Sequence, residues 1–229
     1  MSLSFDIISD LYLTPNSEFD WNEKPTGLFC LVAGNVSNNI FIVQKVLRHL
    51  ATVYHGVFYI DGSLENTDVS NRDDRVEEIS KICSAIPKVV YLHNQVVVLE
   101  GVAIMGINGW YKNYTQHSIS DEFQYKSYRY EDLAYLGKTI EKLQLHVDVK
   151  KIVVVSNSIP DDSLYLGDGP KLGDDVSPTY GLNKDTEHKI KTWVFGTYDK
   201  EINVTVNNIN YLNNPCYDKK PYYPKRIEI

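Results

Sequence analysis

An α/β fold, with two mostly β layers packed face to face and helices outside them, is what this sequence predicts. The first observation is a series of short apolar runs, each closed by a glycine- or proline-marked turn. The second is that amphipathic segments of helical period stand between the early runs. The third is the run Ile152-Val153-Val154-Val155, whose β-branched residues suit a strand buried on both faces.

Taken in order, residues 3–9 read as a strand, and Leu28 to Ala33 is an apolar run ending at Gly34. Ile40, Val43, Val46, Leu47 and Leu50 then recur at helical spacing. Val57 to Ile60 is a buried strand ending at Gly62, and Arg75 to Ile86 is a helix that Pro87 stops. Val96 to Tyr111 reads as a hairpin. The polar, aromatic stretch from Tyr111 to Tyr130 follows, with Tyr114, Phe123, Tyr125 and Tyr128 expected at the surface. Leu133, Leu136, Ile140 and Leu143 mark a helix over Glu131 to Leu145, and Lys151 to Val155 is the doubly buried strand. Residues 161–185 form a long loop rich in Gly, Asp and Pro, of the kind that is often functional or disordered. A helix is expected around Glu187 to Trp193, and the last strands cover Ile202 to Val206 and Arg226 to Ile229. No repeat or linker divides residues 1–229, so one domain is expected. Its chemical loops lie at the C-terminal ends of the strands, where open α/β sheets place their sites.

Five of those loops carry the chemistry: Ile8-Ser9-Asp10-Leu11-Tyr12-Leu13, Ala33-Gly34-Asn35-Val36-Ser37-Asn38, Asp61-Gly62-Ser63-Leu64-Glu65, Val155-Ser156-Asn157-Ser158-Ile159-Pro160 and Phe195-Gly196-Thr197-Tyr198-Asp199. In their order they resemble the calcineurin-like metallophosphoesterase family, whose loops read DxH, GDxx(D/N), GNH(D/E), a histidine segment and GHxH. The central hairpin and the ending, Asn214-Pro215-Cys216-Tyr217 with Tyr223 to Ile229, extend the likeness over nearly the whole chain. The resemblance implies a four-layer αββα sandwich and, in an active member, two divalent ions such as Mn, Zn, Mg or Ni.

Against that pattern most ligands are gone. Asp10 survives, but Tyr12 stands at the first histidine position and Asn35 at the bridging carboxylate. Ser63 and Leu64 replace the Asn-His pair, Asn157 replaces a histidine, and Thr197 and Asp199 replace the last two. A two-metal site needs carboxylates and imidazoles converging on the cations, and neutral oxygens give little affinity without them. The histidine that would protonate a leaving group is missing as well. The expectation is a degenerate member with no catalytic residue and no metal cofactor, the weak candidate ligands being Asp10, Asn35 and Asp199. Its role would be that of a binding or structural module; the alternative is an atypical metal-dependent phosphoesterase acting on phosphomonoesters or phosphodiesters.

The remaining chemistry narrows the partners. A net charge of -7 disfavours a non-specific nucleic-acid binder. No run reaches the ~20 apolar residues of a membrane span. Asp6 and Asp10 interrupt the first apolar run and no basic segment precedes it, so no signal peptide is expected and cytoplasmic synthesis follows. Three scattered cysteines, Cys30, Cys83 and Cys216, make neither a disulfide framework nor a metal knuckle. None of the six histidines falls in a motif loop. Asparagine (18) and tyrosine (17) are abundant, which points to an AT-rich genome such as that of a bacteriophage or a low-GC bacterium, with incorporation into a phage particle or another assembly as one expected setting. A protein partner or self-association is expected through the tyrosine-rich segment 111–130 or the acidic loop 161–185.

Overall fold

Alternation along the strands builds the protein from the centre outward. The computed structural model describes residues 2–67, 71–109, 119–160, 164, 189–216 and 221–229, with the side chains of 119–126 excepted. In the first sheet, β1 (Ser4–Ile8), β2 (Phe29–Ala33), β3 (Gly56–Ile60) and β4 (Val89–Tyr91) run parallel. The C-terminal strand β11 (Lys225–Glu228) closes that sheet antiparallel to β1, with Phe5 opposite Ile227. The second sheet has the order β5-β6-β7-β8-β10-β9, formed by β5 (Gln95–Leu99), β6 (Val102–Ile107), β7 (Lys151–Ser156), β8 (Ile190–Phe195), β9 (Asn203–Val206) and β10 (Ile209–Leu212).

Because successive side chains leave a strand on opposite faces, each strand feeds two cores. Phe5, Ile7, Leu31, Ala33, Phe58 and Ile60 face Ile104, Val153, Val155, Val194 and Leu212 between the sheets. Their neighbours Ile8, Cys30, Val32, Val57 and Tyr59 point the other way. There they pack under α1 (Ile40–Val53) and α2 (Arg72–Ser84) through Val43, Leu47, Leu50, Ile79 and Cys83. On the far side Met105, Ile107, Val154, Trp193 and Phe195 bury Leu136, Ile140 and Leu143 of α3 (Ile119–Leu145). The result is the expected αββα order of layers. Asn39 and Asn71 start α1 and α2 by accepting the backbone N–H two residues on.

Two local expectations are corrected. The helix expected around Glu187 to Trp193 is instead strand β8 from Ile190 onward, residues 187 and 188 lying outside the described residues. Ile190, Thr192, Trp193, Val194 and Phe195 are β-branched or aromatic, and β8 is flanked by β7 and β10, so sheet packing overrides a short helical spacing. Helix α3 also begins at Ile119 rather than Glu131. No glycine or proline occurs between Ile119 and Leu136, so nothing in that polar stretch breaks the helix. Tyr128, expected at the surface, lies under the Arg72 guanidinium at 3.9 Å. Residues 110–118 of the tyrosine-rich segment, and 161–163 and 165–188 covering the acidic loop, lie outside the described residues. Among the described residues no helix is long and apolar enough to cross a membrane.

Candidate functional site

The five motif loops leave the C-terminal ends of β1, β2, β3, β7 and β8 and meet at one edge of the two sheets. Their turns are tight enough to force left-handed backbone at Asp10 (φ 56°), Tyr12 (φ 48°), Asn35 (φ 56°) and Thr197 (φ 56°). For Thr197, whose Cβ is branched, that conformation is rare, and such strain is tolerated only where surrounding bonds hold it. Those bonds are present: Asp10 N–H donates to Gly34 O at 3.1 Å and Tyr12 N–H to Asn35 O at 3.0 Å. Gly62 approaches loop two so closely that a Cβ there would stand 2.5 Å from the Asn35 amide nitrogen. A Gly62→Ala variant is therefore expected to lose on the order of 3 kcal/mol in urea unfolding, because the new Cβ also meets the Asn35 and Asn157 side-chain amides, and backbone and bonded side chains must give way together.

Asn35 is the hub. Its amide Nδ2 donates to Asp10 Oδ1 at 2.9 Å and to Thr197 Oγ1 at 3.2 Å, with the Tyr12 hydroxyl further off at 3.4 Å. Its carbonyl Oδ1 accepts from Leu64 N–H at 3.0 Å and from Ser63 Oγ at 3.2 Å. Asn157 closes the other side: Nδ2 donates to Ala33 O at 3.0 Å, and Oδ1 accepts from Thr197 Oγ1 at 2.8 Å and from Ser63 N–H at 3.3 Å. Thr197 N–H donates to Asp10 Oδ1 at 2.9 Å. Six of the eight positions taken from the sequence, Asp10, Asn35, Ser63, Leu64, Asn157 and Thr197, thus share one bonded network, with Tyr12 at its margin. Asp199 is exposed on the outer part of its loop and makes no hydrogen bond in that network.

Sequence reasoning missed the tie between loops two and three. Glu65, fully buried, accepts from Asn35 N–H at 3.1 Å and Gly62 N–H at 2.8 Å on Oε2, and from Val36 N–H at 2.6 Å on Oε1. Asp61 beside it accepts from the Tyr91 hydroxyl at 2.6 Å and from Asn66 Nδ2 at 2.6 Å, while Asn108 Nδ2 reaches its backbone carbonyl at 2.8 Å. The signal for Glu65 was its place three residues after Gly62, a spacing that lets a carboxylate fold back onto its own loop.

Burial dominates the electrostatics. It pushes the Asp10 carboxyl up to about 6 from a usual 3.8, against the opposing donors Asn35 and Thr197. It likewise pushes Glu65 up to about 7 from 4.5, despite its backbone donors. Asp10 Oδ2 is buried without a hydrogen-bond partner, as is Ser9 Oγ beside it. Since both folded values exceed the unfolded ones, the ionised forms carry a penalty that is full above about pH 7. It fades as pH falls toward 4. Unfolding free energy is expected to rise by on the order of 3 kcal/mol between pH 8 and pH 5. Asp10→Asn, which keeps the accepting oxygen, should remove about 1 kcal/mol of that rise, as measured by urea titrations at the two pH values.

The residues present do not fit a two-metal centre. Where a bridging carboxylate would face the ions, an amide N–H faces Asp10 instead, and an N–H donor repels a cation. Among the described residues no three His, Cys, Asp or Glu side chains converge as metal ligands. The arrangement binds loop to loop.

No protein-family model matches the sequence, and no curated protein matches it either. Solved structures do match in shape. Phosphopantetheinyl hydrolase from Mycobacterium tuberculosis superposes with a TM-score of 0.71 at 14% identity, covering 98% of this chain and 95% of that one. A 5'-nucleotidase-type protein from Staphylococcus aureus, in complex with alpha-ketoglutarate, gives 0.57 at 13% identity over 100% of this chain and 51% of its own. GAP50, the anchor in the inner membrane complex of Plasmodium, gives 0.54 at 12% identity over 95% and 72%. The two facing sheets, the outer helices and these likenesses together identify a metallophosphoesterase-like fold.

Proposed function

We propose that the chain is a non-catalytic protein of this fold, whose former metal centre has become a structural tie and whose surface binds another protein. The observation that carries the reading is the 2.9 Å bond from Asn35 Nδ2 to Asp10 Oδ1. It turns the central position from an anionic ligand into a donor, aimed at the one carboxylate that survives, where a cation would need an acceptor. Fold alone does not fix function, so the hydrolase names of two structural neighbours weigh less than this chemistry. GAP50, named as an anchor, supports the idea that such a fold serves in a binding role. The asparagine- and tyrosine-rich composition favours a phage-borne assembly as the setting.

The test is direct. Protein purified with manganese and zinc available should contain no stoichiometric metal by elemental analysis. Aryl phosphomonoesters and phosphodiesters should show no turnover above background with magnesium, manganese, zinc or nickel. Losing metal-activated water and general acid together forfeits most of the many kcal/mol by which such enzymes lower the barrier. Turnover that disappears in an Asp10→Ala variant would refute the reading.

A further inference from the structure

The outer strands of a sheet are blunted by charge, proline or shortness, because an open edge pairs with other strands. Three of the sheet ends here are blunted in this way or by polar residues: β11 carries Lys225, Arg226 and Glu228, β4 has three residues, and β9 sets Asn203 and Thr205 among its four. Strand β5 has none of these devices. Gln95-Val96-Val97-Val98-Leu99 is uncharged, β-branched at its centre, and ends the second sheet with β6 as its partner.

The turn into β6 decides which backbone groups are free. Glu100 (φ 47°) and Gly101 (φ 82°) make a two-residue left-handed turn, so Leu99 and Val102 form the bonded pair that closes the hairpin. Bonded pairs alternate along an antiparallel ladder. Val97 therefore bonds inward to Ile104, while Val96 and Val98 turn their N–H and C=O groups outward. Neither has a further hydrogen bond among the described residues. The same two residues keep their side chains open, Val96 at 36% and Val98 at 48% exposure, beside Met105 and Ala103, which α3 covers.

Symmetry selects the occupant. Val96 and Val98 are alike and stand either side of Val97, so the strand is its own complement about a two-fold axis through Val97. Antiparallel to a second β5, Val96 meets Val98 of the other copy and Val98 meets its Val96, each pair exchanging both N–H···O bonds. The exposed valines of both copies then join in one apolar stripe, and Val97 faces its own counterpart. Glu100 falls opposite Asn94, so no like charges face each other along the edge. We propose that two copies of this chain pair through β5 and run their second sheets together into one. With five residues a side, against roughly 20–30 in stable interfaces, the dimer is weak and reversible. The net charge of -7 on each copy opposes it at long range. The contact lies outside both segments from which self-association was expected, and it is the same whether or not the loop network is catalytically inert.

Sedimentation velocity at concentrations up to about 1 mM should show a dimer with a Kd on the order of 100 μM. Added salt should tighten it, since screening relieves the repulsion and no ion pair is lost. Hydrogen exchange at high concentration should slow at the Val96 and Val98 amides and leave Val97, already bonded within the sheet, unchanged. Paired variants test the register. In Val96→Lys, Val98→Lys, like charges meet across the axis; in Val96→Lys, Val98→Glu, each lysine meets a glutamate of the other copy. The first should dimerise at least about tenfold more weakly than the second, although its net charge is less negative. Both alter exposed side chains alone, and circular dichroism checks that they fold. A monomer at about 1 mM, a dimer that salt dissolves, amide protection away from β5, or equal dimerisation by the two double variants overturns the proposal.

Discussion

A Glu65→Ala variant is expected to lose on the order of 4 kcal/mol in unfolding free energy at pH 7. The carboxylate is buried and holds three backbone N–H groups from two loops, Asn35, Val36 and Gly62. Alanine leaves all three without acceptors in a space closed to water, at about 1–3 kcal/mol for each buried orphan. Removing the ionised carboxylate returns part of that cost, because burial disfavours its charged form. Glu65→Gln separates the two effects. Its remaining oxygen can serve Asn35 and Gly62, but its amide would confront the Val36 N–H, so an intermediate loss is expected. Urea unfolding measures the energy, and hydrogen exchange at the three amides shows whether the loops have parted. A loss below about 1 kcal/mol would mean that other contacts hold loops two and three together.

Much of this edge was legible in the sequence because its markers are local. Gly34 and Gly62 announce turns, Asn35 and Asn157 sit at fixed distances from them, and the apolar runs before them alternate between two cores. What could not be read depends on residues far apart in sequence. Glu65 gains its meaning only when loop three closes on Asn35 and Val36, and Asp132 only when α3 brings it to Gly109 N–H at 2.8 Å and Asn94 Nδ2 at 3.2 Å. Strand β10 has no counterpart among the strands expected from sequence, and it depends on the turn at Asn207-Asn208. Both residues take left-handed φ, 50° and 63°, making a two-residue hairpin turn that pairs Val206 with Ile209. Near Glu187 the opposite holds: local spacing suggests a helix, and β7 and β10 on either side decide for a strand from Ile190 onward.

Returning a carboxylate to the hub should damage the protein rather than revive it. In Asn35→Asp, the donor 2.9 Å from Asp10 Oδ1 becomes a second oxygen, and the bond to Thr197 Oγ1 is lost with it. Two buried carboxylates at that distance cannot both ionise cheaply, so the pair holds a proton at a raised pKa. The penalty is present above that raised value and is lifted as pH falls through it. The variant is therefore expected to be about 3–4 kcal/mol less stable than the natural protein at pH 8, and about 1 kcal/mol less stable at pH 5. Leu64 N–H and Ser63 Oγ can still donate to the new carboxylate, so the loop framework survives for the comparison. Urea titrations at both pH values, with and without manganese or zinc, provide the measurement. Tyr12, Asn157, Thr197 and Asp199 still withhold histidine ligands, so neither ion should restore stability at pH 8 in the single variant. Adding Tyr12→His, Leu64→His and Asn157→His returns two of those ligands and the proton-donating histidine, and only then should metal raise stability. Metal-dependent stabilisation of the unaltered protein would mean that Asn35 can turn its carbonyl toward an ion, and the donor role assigned to it would fall.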